Sequence, residues 1–163
     1  LLRRVLPPAR DGARPAERVV TRRTTVDDLL AEARRGVRRL EPAEALAEQQ
    51  SGALLVDLRS ADERRREGVV PGSLHLPRSV LEWRVDPESG WSNRHVADTE
   101  RRLILLCAHG WSSSLAAATL VELGYPDAGD VEGGFEAWLA AGLPTASAPE
   151  RAAGALPGTA PPD

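Results

Sequence analysis

The chain has 163 residues, 42% of them hydrophobic, with a formal net charge of -3 and a sequence pI near 5.7. That is enough apolar material for the core of one domain, and the slight acidic excess argues against a nucleic-acid partner, because phosphate binding requires clustered cationic charge. All 21 basic residues are arginine, which together with the abundant alanine suits a GC-rich bacterial genome. No apolar run approaches the roughly 18 residues of a membrane span, and Leu1 to Pro8 is broken by proline too early for a secretory leader. No membrane partner is therefore expected. One cysteine, Cys107, allows no internal disulfide, so the thiol is read as free and the location as cytoplasmic.

In chain order, residues 1–23 mix arginine, proline and alanine without periodicity and are expected to be a disordered tail. Residues 24–36 predict a leading helix, with Thr25 as N-cap, Asp27 and Asp28 in the first turn and Gly36 at the end. A brief strand, Val37 to Leu40, precedes a helix from Ala43 to Gln50, with Pro42 in its first turn. Ala53 to Asp57 is a continuous apolar run ending on an acid, as in a buried parallel strand whose carboxyl end faces a site. Ser60 to Glu67 is highly charged and predicts an exposed helical turn with a solvated face. Ser73 to Leu76 reads as a strand, Val80 to Trp83 as a short helix, and Asp86 to Thr99 as a long surface loop. The third strong strand is Leu103 to Leu106, followed by a helix from Ser113 to Leu123 that Gly124 stops. A short strand at Gly129 to Val131, the Gly133-Gly134 turn and a helix from Phe135 to Ala141 complete the pattern. Residues 145–163, mostly Ala, Pro, Gly and Ser, are expected to be a second disordered tail. Strands alternating with helices define an α/β domain with a central, mainly parallel sheet flanked by helices in three layers.

In such sheets reactive groups collect at the carboxyl ends of the strands. Cys107 is placed there, followed by Ala108, His109, Gly110, Trp111, Ser112 and Ser113 before the helix continues. Gly110 can adopt a positive φ, so that successive N–H groups turn inward as an anion nest, and the helix start adds its dipole. A thiolate or persulfide suits that nest. Ser112, Ser113 and Ser114 offer further donors, or serve only to cap the helix. His109 raises the thiolate fraction when protonated, serves as an acid, or merely points to solvent. Trp111, at the loop apex, forms a hydrophobic wall for the acceptor or belongs to a partner interface. Asp130 can reach the site from its strand end, and Trp83 and Trp91 mark a candidate partner surface.

Residues 37–144 resemble a single rhodanese-like domain. The matching pieces are Val56-Asp57-Leu58-Arg59, Pro71 to Pro77, the Cys107 loop with its helix, and Val131 to Trp138 with Gly142-Leu143-Pro144. The resemblance implies a sulfurtransferase in which Cys107 moves sulfane sulfur as a persulfide from a donor such as thiosulfate to a thiol or cyanide. It also implies supporting roles for Asp57, Arg59 and His75: a hydrogen-bonded acid under the loop, a guanidinium tied to a carboxylate such as Glu63, and a satisfied, packed histidine. No metal or organic cofactor is expected. Many relatives carry an arginine where Ser112 stands, which puts the affinity for thiosulfate in question. The alternative within the family is a sulfur carrier or partner-binding module that passes sulfur to an accepting protein. A cysteine phosphatase or arsenate reductase would need a longer loop closed by an arginine, since a phosphate dianion calls for bidentate neutralisation.

Overall fold

The computed structural model describes residues 22–151 and 154–163; the expected first tail, apart from 22 and 23, lies outside them. Five parallel strands form one sheet in the order β1-β5-β4-β2-β3: β1 (Arg38–Leu40), β2 (Leu54–Asp57), β3 (Leu74–His75), β4 (Leu103–Leu106) and β5 (Gly129–Val131). Helices α1 (Val26–Arg35), α2 (Pro42–Gln50), α3 (Ala61–Glu67), α4 (Leu81–Val85), α5 (Ser112–Glu122) and α6 (Gly134–Ala140) surround it. The α1 start follows from its sequence, since Thr25 and Asp28 cap each other's backbone N–H groups in a capping box.

The continuous apolar strands are explained by burial on both faces. Along β4, Leu103 and Leu105 join Leu54, Val56, Ala116, Ala117 and Leu120 in one core layer, while Ile104 and Leu106 join Leu55, Val131, Phe135 and Trp138 in the other. Alternation also sets where the strand ends point. Cys107 continues the parity of Leu105 and belongs to the first layer, over which α5 packs. Asp130 pairs in register with Leu105 and with Arg39, so it turns toward that same face. Asp57 pairs with Leu106 and with His75, and turns to the opposite one.

Two expectations are corrected. The charged segment from Ser60 is not simply a solvated face. Arg64 on α3 is buried, with Nε 3.0 Å from Asp57 Oδ2 and a second carboxylate partner in Asp163. In place of the disorder expected for 145–163, the described residues there lie along the domain. Ala146 bridges Val69 with two backbone hydrogen bonds, and Asp163 exchanges backbone bonds with Gly72 and Ser73. Arg84 Nε donates to Pro157 O at 2.8 Å, and Asn93 Nδ2 donates to the carbonyls of Gly158 and Ala160, both at 2.9 Å. This segment has no periodicity because its order comes from carbonyls that accept from buried side chains of the 84–93 region.

Candidate active site around Cys107

The strand β4 ends in an apolar layer and the chain must then turn into α5, which leaves Cys107 at the mouth of the sheet, largely buried. Gly110 makes the turn with φ +75°, where a Cβ would lie 2.7 Å from Gly133 N. Only glycine fits there. Its N–H donates to Cys107 Sγ at 3.1 Å. The Sγ lies 3.2 Å from Ser113 Oγ. Burial pushes the Cys107 thiol up, but the hydroxyls of Ser112 and Ser113 and the N–H groups of Ser113 and His109 outweigh it, so the thiol sits below its ordinary value.

Ser113 does not cap α5. The residue before the helix is Trp111, without a side-chain capping bond, and Ser113 Oγ donates to Asp130 Oδ2 at 3.0 Å. Ser114 Oγ donates to the same oxygen at 2.8 Å, while Arg39 Nε donates to Oδ1 at 3.1 Å. This arrangement has a chemical consequence. With a neutral thiol, S–H donates to Ser113, whose own proton goes to Asp130. With a thiolate, the Ser113 proton can turn to sulfur, and Asp130 keeps Ser114 on one oxygen and Arg39 on the other. The thiolate therefore gains a donor without orphaning a buried carboxylate.

Two arginines that sequence reading passed over complete the loop. Arg34 of α1 donates to Ser114 Oγ at 3.1 Å and to Gly110 O at 3.0 Å, and Arg39 of β1 reaches Gly110 O at 3.4 Å. Arg39 had no signal in the sequence, since its approach to Asp130 depends on the register of β1 against β5. Arg34 had none beyond its place in the last turn of an amphipathic helix.

The supporting residues lie on the other face of the sheet. The Asp57 carboxylate bonds to Arg59, at 2.8 Å, and to Arg64, and among the described residues to none of the loop. The carboxylate held by Arg59 besides Asp57 is Glu67, at 3.2 Å, rather than Glu63, which caps α3 through Ser60. The Arg59 guanidinium stacks 3.6 Å above the Phe135 ring, and Phe135 N–H donates to Cys107 O at 2.8 Å. Support for the loop thus passes through α6. His75 is packed but only half satisfied: Nε2 lies 2.7 Å from Arg59 O, while Nδ1 is buried with no partner among the described residues. Burial, then the nearby Arg64 charge, pull His75 down to about 4, so it is neutral with its proton on Nε2.

A pocket of about 270 Å³ opens over Cys107, lined by Val26, Leu30, Ala108, His109, Trp111, Ser112 and Leu115. Trp111 is 62% exposed, with its ring 5.5 Å from that of His109, and His109 Nδ1 is 2.9 Å from Glu136. Trp83 is also exposed, but it shares a surface depression with Leu123, next to the C-terminal end of α5 and away from the loop. Among the described residues no helix is long and apolar enough to cross a membrane.

A thiol held by converging donors at the carboxyl end of a parallel sheet defines a cysteine-loop transfer protein. Residues 41–141 match the family model of the rhodanese-like domain. The chain belongs to the rhodanese-like family and is a rhodanese-type sulfurtransferase. It is 38% identical over 103 residues to a thiosulfate sulfurtransferase of Pseudomonas savastanoi pv. phaseolicola, covering 63% of this chain and 88% of that one. Over 101 residues it is 40% identical to the thiosulfate sulfurtransferase of Pseudomonas syringae pv. syringae, covering 62% and 86%. Among solved structures it is similar to a Rhodopseudomonas palustris protein of unknown function, described as a "possible tyrosine phosphatase". That match has a TM-score of 0.71 and 31% identity over 82% of this chain and all of that one. The polysulfide-sulfur transferase homodimer of Wolinella succinogenes superposes with a TM-score of 0.59 at 28% identity, covering 73% and 85%. The chemistry therefore needs a sulfur donor and a sulfur acceptor.

Proposed function

We propose that Cys107 carries sulfane sulfur as a persulfide from a donor such as thiosulfate to a thiophilic acceptor. The Cys107 thiolate attacks the outer sulfur of the donor. A new S–S bond forms, the donor's S–S bond breaks, and the electron pair leaves with sulfite. An acceptor thiolate or cyanide then attacks the outer sulfur of the persulfide and Cys107 leaves as thiolate. Both displacements balance without a redox partner. The N–H groups of His109, Gly110 and Ser113 and the hydroxyls of Ser112 and Ser113 hold the anion at each stage, in the manner of an oxyanion hole. Asp130, with Arg39 and Ser114, is the positioning group that frees the Ser113 proton. A free thiol nucleophile suits a reducing compartment, and we place the reaction in the cytoplasm.

The observation that carries this reading is the set of donors converging on a buried Sγ that lowers its pKa. Because the thiolate is the reactive form, the rate of sulfur loading rises with pH through the Cys107 pKa. The expected profile has its midpoint below that of an ordinary free thiol, and Ser113→Ala moves it upward. A wild-type midpoint at or above the free thiol, or one unmoved by Ser113→Ala, contradicts the assignment. Phosphatase chemistry gains no support from this site. Arg34 and Arg39 donate to Gly110 O, Ser114 and Asp130, and neither lines the pocket where a phosphate would have to sit. A protein acceptor is favoured by one feature, the exposed Trp111 on the pocket rim, a side chain suited to anchoring a partner.

A further inference from the structure

The wall of the Cys107 pocket that faces the loop is built by a helix outside the matched family region of residues 41–141. Val26 and Leu30, one turn apart on α1, stand across from Trp111 and Leu115. Arg34, one turn further on, fixes α1 in place through its bonds to Ser114 and Gly110 O. The resulting slot has apolar side chains on both sides and no arginine or lysine in its lining; its one histidine, His109, is engaged through Nδ1 with Glu136. A dianion such as thiosulfate would place its sulfite end, the part that departs, in this slot, where nothing but the loop itself offsets the loss of hydration. An organic group would instead replace water on apolar surface.

Building on the persulfide reading above, we propose that α1 makes this site selective for sulfane-sulfur donors that carry an apolar organic body and at most one negative charge, an organic thiosulfonate or persulfide, over thiosulfate. In the reaction the Cys107 thiolate attacks the outer sulfur of an organic thiosulfonate, the S–S bond to the sulfonyl group breaks, and the sulfinate leaves with the electron pair. The organic body of that leaving group occupies the space between Leu30, Val26 and Trp111. The pocket volume is about 270 Å³. That is smaller than a pocket for a drug-sized ligand and suits a body the size of a single aromatic ring. Leu30 and Val26 are specificity-determining residues in this scheme.

The test compares single-turnover loading of the wild-type chain by benzenethiosulfonate and by thiosulfate, read as the one-sulfur mass gain on Cys107. Each rate is divided by the rate at which the same donor sulfurates free N-acetylcysteine, which removes intrinsic donor reactivity. The expected normalised preference for benzenethiosulfonate is roughly 10- to 200-fold, the discrimination a hydrophobic contact of this size supplies. Leu30→Arg, which sets a cation in the slot, cuts that preference at least roughly tenfold, by the same measure, and Leu30→Ser lowers it without adding charge. Leu29→Arg, one residue away on the exposed side of α1, leaves it unchanged and controls for charge on the helix. Loading in which thiosulfate equals or exceeds benzenethiosulfonate after normalisation, or a preference identical in wild type and both Leu30 variants, overturns the selectivity while leaving the persulfide reading standing. Failure of both donors to load Cys107 overturns the persulfide reading and the selectivity with it.

Discussion

Asp57→Ala is expected to lower folding stability by about 3–5 kcal/mol, the range for removing one partner of a buried ion pair. Asp57 is fully buried and holds two guanidiniums that are themselves buried, those of Arg59 and Arg64. Alanine leaves both short of a counterion. Arg59 keeps Glu67 and Gly68 O, and Arg64 keeps Asp163, so the loss stays within that range instead of doubling. Domains of this size are stable by only about 5–15 kcal/mol, so the urea midpoint should fall by about a fifth or more with the slope of the transition preserved. Adding Arg64→Met to Asp57→Ala should recover part of the loss, because it removes a buried guanidinium left with one carboxylate in place of two, although it also gives up the pair with Asp163. A double variant no more stable than the single one would show that the pairing is not the source of the effect.

Gly134→Ala is expected to have the larger effect on activity. Gly134 starts α6 with φ +61°, and a Cβ there would lie 2.4 Å from Cys107 O and 2.7 Å from Ala108 O and Ala108 C. These are backbone atoms of the loop itself, so either α6 or the loop must move. Movement breaks the bonds from Phe135 N–H to Cys107 O, at 2.8 Å, and from Glu136 N–H to Ala108 O, at 3.1 Å. A displacement of about 1 Å at a reacting centre can cost on the order of 10²-fold in rate. Loss of sulfur loading of that size is the expected result, together with a stability loss of about 1–3 kcal/mol from backbone strain. Gly142→Ala provides the comparison. It has a similar φ of +65° but open space around the added methyl, so it should lose stability alone and keep its loading rate.

These two sites show what a sequence can and cannot convey. The strands were legible because both faces of the sheet are covered, which makes β2 and β4 unbroken apolar runs, and the loop was legible because cysteine, glycine and a helix start follow a strand end. Asp130 was visible only as an acid at a strand end. Its role depends on the register of β5 against β4 and β1, which turns it to the Cys107 face and toward Arg39. One residue of parity sends Asp57 to the other face, so the two acids, alike in pattern, do different work. Ser113 read equally well as a helix cap until the path from Sγ to Asp130 decided it. Arg64 and the segment after Pro144 misled the reading for one shared reason: charged and proline-rich stretches look solvated, yet here distant partners such as Asp57, Arg84 and Asn93 satisfy them.

The proposed chemistry stands on formation of a persulfide at Cys107. Intact-mass analysis after incubation with sulfane donors, thiosulfate and benzenethiosulfonate in parallel, tests it most directly, with Cys107→Ser as control. The wild type is expected to gain one sulfur atom, absent from Cys107→Ser and discharged by cyanide or a thiol. A wild-type chain that gains no sulfur from either donor, or a Cys107→Ser chain that gains it as well, would rule out a persulfide at Cys107.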